Sequence, residues 1–152
     1  MKRTVKRVGI LLLAFFVVCG LAASAFAVTY PYEALFDNRY LAEAYGSITA
    51  TKVSASLVVY DLTSDSVLRN VYRHARVDYQ YYPTNGGGLL PDYRLDDAYS
   101  ELSALAVAST TTDSGIYQFR FAKFTFQATI PAASGGNHNW ETESNWKEYT
   151  PT

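Results

Sequence analysis

The 152-residue sequence holds two histidines, His74 and His138, the side chains whose ordinary pKa suits general-base work at neutral pH. A serine or threonine nucleophile would need one of them beside it and a third group to orient the ring. His74 falls among Tyr72, Arg76, Asp78 and Gln80 in an alternating run, which predicts a solvated strand face rather than a catalytic base. His138 lies in a polar stretch led by Gly135 and Gly136. No Gly-x-Ser-x-Gly elbow occurs, and two isolated histidines give no zinc-ligand spacing. The sequence therefore predicts no catalytic residue, no metal site and no cofactor.

The carboxylates lead to the same expectation. Asp92, Asp96 and Asp97 lack the Asp-x-Asp-x-Asp-Gly register that points alternate oxygens at one calcium ion, so they read as a solvated loop. A glycosidase would need two acids held across a cleft. The 14 acids are scattered over turns and tail, and no spacing singles out a pair. Gly86-Gly87-Gly88 is followed by no Lys-Ser/Thr, so it reads as a flexible hairpin or lid tip rather than a phosphate loop.

Tyrosine is what the chain has in quantity: all 13 lie beyond residue 27. Tyr79, Tyr81 and Tyr82 run into the glycine-rich loop, and Tyr93 follows it. Rings with a polar handle suit both sugar stacking and protein interfaces. The plainer reading puts Tyr79 and Tyr81 inside, with Tyr82 and Tyr93 covering the core's edge. Trp140 and Trp146 pose the same choice between anchoring the tail and offering adhesive surface. The candidate ligand-binding residues are Tyr82, Tyr93, Trp140 and Trp146.

The elements that would position these residues are strands. Gly115–Ile130 is the longest and most aromatic β-like run. Its apolar set is odd through Tyr117, Phe119 and Phe121, then even from Ala122 through Phe124, Phe126, Ala128 and Ile130. A period of two changes parity only through an extra residue, a bend or a change of sheet, which predicts a bulge or corner near Phe121–Lys123. Ser47–Leu62 reads as a strand with Val53, Ala55, Leu57 and Val59 on one face. Val67–Tyr82 reads as another, with Val71, Ala75, Val77, Tyr79 and Tyr81 together. Arg73 breaks that face, so this strand is expected to start late or lie at an edge. Between them, Asp61–Ser66 is a turn. Pro83–Asp97 is the main loop, and the strand pattern returns over Tyr99–Ser109, where alanine content also permits helix. Within 28–46, the spacing of Phe36, Tyr40 and Ala44 suits a short helix, or else an arm on the domain. Residues 131–152 read as a loop-like tail or an edge strand.

Asp113-Ser-Gly-Ile-Tyr-Gln-Phe119 resembles the Asp-x-Gly-x-Tyr-x-Cys corner of immunoglobulin-like domains. The resemblance implies that Asp113 and Tyr117 fix a corner entering a central strand, with Phe119 where the cysteine would stand. The fold class expected is all-β: an antiparallel β-sandwich, with an immunoglobulin-like variant, or an open barrel. The β domain spans 47–130.

The first 27 residues read as a secretory leader. Lys2, Arg3, Lys6 and Arg7 precede an apolar Val8–Leu21, and Ala25-Phe26-Ala27 fits the small-x-small cleavage rule. An uncleaved N-terminal membrane anchor is the alternative, since Val8–Ala27 runs to 20 residues. Cys19, the one cysteine, would leave with the leader, so the remainder would carry neither disulfide nor thiolate. Removing four of 13 basic residues leaves nine against 14 acids, a net −5, which argues against nucleic acid and acidic membrane surfaces as partners. The expected function is a secreted, non-enzymatic binding or surface-interaction module with a protein or glycan partner. A carbohydrate- or cell-wall-binding module built on Tyr82, Tyr93 and Trp140 is the alternative, and a small secreted hydrolase ranks third. If the leader is cleaved, N-terminal sequencing of the exported protein begins at Val28. An intact chain in the membrane fraction would instead establish the anchor.

Overall fold

The computed structural model describes residues 27–88, 93–100, 105–112 and 115–150, with the backbone alone for 93–100. Residues 1–26 of the expected leader lie outside them, as do Asp92, Asp113 and residues 101–104. Within the described residues the chain is strand and turn, with no helix. Strands β1 (Val28–Phe36), β2 (Tyr40–Ile48) and β3 (Lys52–Asp61) form an antiparallel meander. The far edge of β3 is shared by β4 (Ser66–Val67) and β7 (Leu105–Thr111). In the second sheet, β5 (Arg73–Pro83) and β8 (Tyr117–Pro131) pair at the centre, and β6 (Tyr93–Ser100) lies beside β5. The outer edge of β8 carries β9 (Asn137–Glu143) and β10 (Lys147–Glu148). Two open antiparallel sheets, packed face to face, make the β-sandwich expected from the strand pattern.

Residues 28–46 correct the expected arm or short helix. They form β1 and most of β2, paired from Val28↔Ile48 to Phe36↔Tyr40. Asp37 and Asn38 turn the chain at φ 51° and 54°, and the Arg39 N–H donates to the Phe36 carbonyl at 2.9 Å. This is a type I′ turn, whose handedness matches strand twist and whose left-handed residues Asp and Asn tolerate. Turn chemistry and sheet burial override the four-residue apolar spacing.

The two sheets approach closely because β2 is small on its inner side. Ala42, Ala44 and Gly46 face the core, and the buried Phe124 and Phe126 of β8 fill the room they leave. The Phe124 ring occupies the place a Cβ on Gly46 would take. From β3 come Val53, Ala55, Leu57 and Val59, all fully buried, as their alternation predicted. The Val and Leu side chains among them each contribute roughly 1.5–3 kcal/mol. Tyr32 meets Phe126 at 5.4 Å between ring centroids, and its buried phenol oxygen finds no hydrogen-bond partner among the described residues.

The long strand predicted over Val67–Tyr82 is interrupted, because β5 begins only at Arg73. Arg73 is wholly buried on the core side, where its Nη1 donates to the Val71 carbonyl at 3.2 Å. Burial pushes its guanidinium down to about 10, still charged at neutral pH. The strand is central, not an edge. The expected loop over Pro83–Asp97 is shorter than its composition suggested, since β6 resumes at Tyr93. Tail residues 131–152 supply the edge strands β9 and β10.

In β8 the parity break is a bulge. Its register against β5 shifts between Gln80 and Tyr81, leaving Arg120 as the extra residue. The buried set therefore runs Phe119, then Ala122, Phe124, Phe126, Ala128 and Ile130, while Phe121 is only half-buried. The bulge lies just before the expected Phe121–Lys123 segment. Tyr117 opens this central strand, and Asp113, the other residue of the immunoglobulin-like corner, lies outside the described residues.

Gly46→Ala should lower unfolding free energy by about 1–3 kcal/mol, the range for overpacking a close contact. Urea unfolding checks it, and adding Phe124→Leu should recover part of the loss. An unchanged midpoint would mean that the Phe124 ring does not fix the sheet spacing.

Candidate functional site

The structure does not assemble the four aromatic candidates into one platform. Tyr82, half-buried, pairs with Gln118 near one end of β8 and alternates with the core-side Tyr81. Trp140 pairs with Ala128 near the other end and packs against the core. The two thus lie on opposite faces of the sheet. Trp146 is 39% exposed between β9 and β10. The Tyr93 backbone pairs with Tyr79.

A different aromatic group does come together. Phe119 donates its N–H to the Ala50 carbonyl at 2.8 Å, which seats it at the β2–β3 turn, the end of the first sheet. Tyr81 pairs with Phe119 at that level, and Pro83 and Tyr117 extend past it on the paired β5 and β8 strands. The Tyr81 ring stands edge-on to Tyr117 at 4.9 Å and to Phe119 at 6.1 Å, and stacks on Tyr79 at 6.1 Å. Tyr79 meets Phe119 edge-on at 5.2 Å. Phe119 is buried, whereas Tyr79, Tyr81 and Tyr117 are half-buried. Ile116, 53% exposed, sits beside them in the β7–β8 connection. Thr84 fixes that connection: its N–H donates to the Ile116 carbonyl and its hydroxyl to the Gly115 carbonyl, both at 2.8 Å. The alternation of Tyr79 and Tyr81 foretold their inward face, but not that the opposite sheet would stop short of it.

The outer face of the second sheet is charged and self-paired. Arg76 binds Asp78 at 2.7 Å, Lys123 binds Glu143 at 2.6 Å, and Arg120 binds Glu148 at 2.6 Å. His74 corrects the expected solvated histidine, since it is 6% exposed with Nδ1 3.1 Å from the Gln127 side-chain oxygen. Tyr72, Gln127, Thr129, Asn139 and Glu141, with Trp140, line a groove of about 230 Å³, below the usual small-molecule range. His138 Nε2 lies 3.0 Å from Asp37, tying the β1–β2 turn to β9.

On the outer face of the first sheet lies an acid pair that sequence spacing had missed. Glu33 and Glu43 stand directly opposite each other on β1 and β2. Glu43 is fully buried, and its Oε1 has no hydrogen-bond partner among the described residues. Burial first, and the Glu33 charge second, push its carboxyl up to about 7. Tyr45, whose phenol reaches Glu43 Oε2 at 3.5 Å, is also raised, and burial pushes Tyr60 up to about 12. The strand alternation of Leu41, Glu43 and Tyr45 would have signalled this face, had the segment been read as β.

No protein-family model matches this chain, and no curated protein matches it. Among solved structures, the crystal structure of MtrC from Shewanella baltica OS185 is similar at a TM-score of 0.29 and 9% identity. That similarity spans 78% of this chain and 22% of MtrC, so the chain spans less than a quarter of that protein's length. It is too slight to bear on fold or function.

The acids titrate in two opposed directions. The Arg39 guanidinium, 2.9 Å from Asp61, together with the Thr63 hydroxyl and N–H, holds Asp61 well below the usual carboxylate range. Asp37 is lowered by the Ala133 N–H first and His138 second, and Glu143 by Lys123. These three stabilise the fold above their unfolded values and lose that contribution as pH falls through their folded ones. Glu43 has the opposite sign. Folded, it holds its proton up to about 7, against 4.5 for the free group, so stability falls as pH rises through that window. The fall is at most on the order of 3 kcal/mol. Urea midpoints should therefore peak between about pH 4 and 5. Glu43→Gln should flatten the limb above the peak and leave the acid limb intact.

Proposed function

We propose that the protein is an exported, non-enzymatic binding module that meets its partner through the aromatic end formed by Tyr79, Tyr81 and Tyr117. The supporting observation is one edge-to-face ring cluster that is half-exposed where the β5–β8 pair outruns the opposite sheet. Rings locked against one another by Phe119 lose little side-chain freedom on binding. Their phenol groups hydrogen-bond while their faces exclude water. Ile116 adds apolar area at the same end. The self-paired ions on the outer face of the second sheet have less to gain from a partner.

A carbohydrate ligand is the second reading, favoured by the amphipathic character of the same rings. Its contacts shift from the Tyr82, Tyr93 and Trp140 set to Tyr81 and Tyr117. Export with cleavage after Ala27 belongs to the proposal, because a cell-surface or extracellular partner requires it.

Sedimentation with washed cell envelopes tests this. The protein should co-sediment saturably, and Tyr81→Ala/Tyr117→Ala should weaken binding at least about tenfold, the scale of losing two interface tyrosines. Binding that survives protease treatment of the envelopes identifies a glycan, and binding lost with it identifies a protein. Equal sedimentation of wild type and variant, or none, would sink the aromatic-end assignment.

A further inference from the structure

On the outer face of the second sheet the side chains stand in rows that cross the strands. Tyr72, Thr129 and Asn139 make one row: the Thr129 N–H donates to the Tyr72 carbonyl at 3.1 Å, and Thr129 pairs with Asn139. His74, Gln127 and Glu141 make the next. Elsewhere on this face Asp78, Glu143 and Glu148 are bound by Arg76, Lys123 and Arg120. Glu141 differs, being exposed and without an ion pair among the described residues. The local ion pairing therefore stops where the groove of about 230 Å³ begins. Its amide side chains are tethered from behind. The Gln127 Oε1 lies 3.1 Å from His74 Nδ1, and the Thr129 hydroxyl donates to Asn139 Oδ1 at 3.3 Å. With both amide oxygens engaged on the sheet, Gln127 and Asn139 offer a ligand their N–H donors, beside an acceptor-only carboxylate.

We propose that this groove binds one ring of a neutral saccharide. Each sugar hydroxyl both donates and accepts, so neighbouring hydroxyls can accept from the Gln127 and Asn139 amides while donating to Glu141. The bond to the charged carboxylate is the strongest of these. Tyr72 adds an aromatic ring against which the C–H face of the sugar can lie. An anion would meet the Glu141 charge, and a simple cation would leave both amide donors unused. The volume suits a single ring and not a drug-sized apolar ligand. About a dozen heavy atoms, at the efficiency of ordinary ligands, give a dissociation constant on the order of 1–10 mM. The groove lies on the opposite face of β8 from the Phe119 ring and towards its other end. It is a second site and does not depend on the function proposed for the aromatic end.

Nitrogen-15 NMR of the labelled protein tests this through the Gln127 and Asn139 side-chain amide signals. Glucose, galactose, mannose and N-acetylglucosamine would each be added to about 50 mM, several times the expected constant. At least one should shift both signals saturably. Glu141→Gln should weaken that binding at least about tenfold, the scale of a lost hydrogen bond to a charged group. Glu141 is exposed, so its variant keeps the fold. Tyr81→Ala/Tyr117→Ala should leave the binding unchanged, which separates this groove from the aromatic end. Chitotetraose beside its monomer distinguishes two sources of the ring. The same shifts with the tetramer place a glycan chain in the groove, and shifts with the monomer alone place a free sugar there. No saturable shift with any of the four sugars would overturn the proposal. So would an equal shift with glycerol, unchanged affinity in Glu141→Gln, or binding lost in the double tyrosine variant.

Discussion

The whole sandwich depends on how closely β2 can approach β8. Gly46 gives up its side chain so that the Phe124 ring can lie against the backbone, and Ala42 and Ala44 repeat the arrangement along the strand. The thickness missing from one sheet is supplied by phenylalanine from the other. Interiors pack at crystal-like density, so such complementarity leaves one spacing and one registry between the layers. The positions of β5 beside β8, and of β3 beside β2, follow from it.

That constraint explains what was legible in the sequence and what was not. Residues of β3 and β8 place apolar side chains at every second position, broken once in β8, so both strands and their inner faces could be read directly. The β8 bulge was visible too, because a parity change has few physical causes. Midway along the inner face of β2 stand Ala42, Ala44 and Gly46, which carry no β signal of their own, and Ala44 has helical spacing with Tyr40. Their strand identity comes from the phenylalanines they face, more than 70 residues away, and from the Asp37–Asn38 turn. Misreading this strand also hid Glu43, whose position against Glu33 exists only in the sheet.

The candidate sites divide by the same logic. Tyr79 and Tyr81 were correctly expected on the core side, but their partial exposure reflects where the other sheet ends, a property of the β2–β3 turn and not of β5. Trp140 was open to two readings, and packing beneath the sheet edge decides for the anchor. Tyr82 and Trp140 could be listed together on composition, yet alternation along two paired strands sets them on opposite faces. The two outer faces differ in character as well. One pairs its charges locally, whereas the other buries an acid beside its like.

The Arg120 bulge separates two regions of a single strand. Beyond it, towards Pro131, the strand is held by its buried phenylalanines and by pairing to β5 on one side and to β10 and β9 on the other. Before it, the chain pairs with β5 alone and carries the ring cluster at the tip. An extra residue already absorbed at this point means that the phase of one region does not dictate the phase of the other. Mutation can therefore vary the tip, in ring identity or in length, while the packed body keeps its register. A scaffold with such a joint can change what its tip presents over evolutionary time without having to refold.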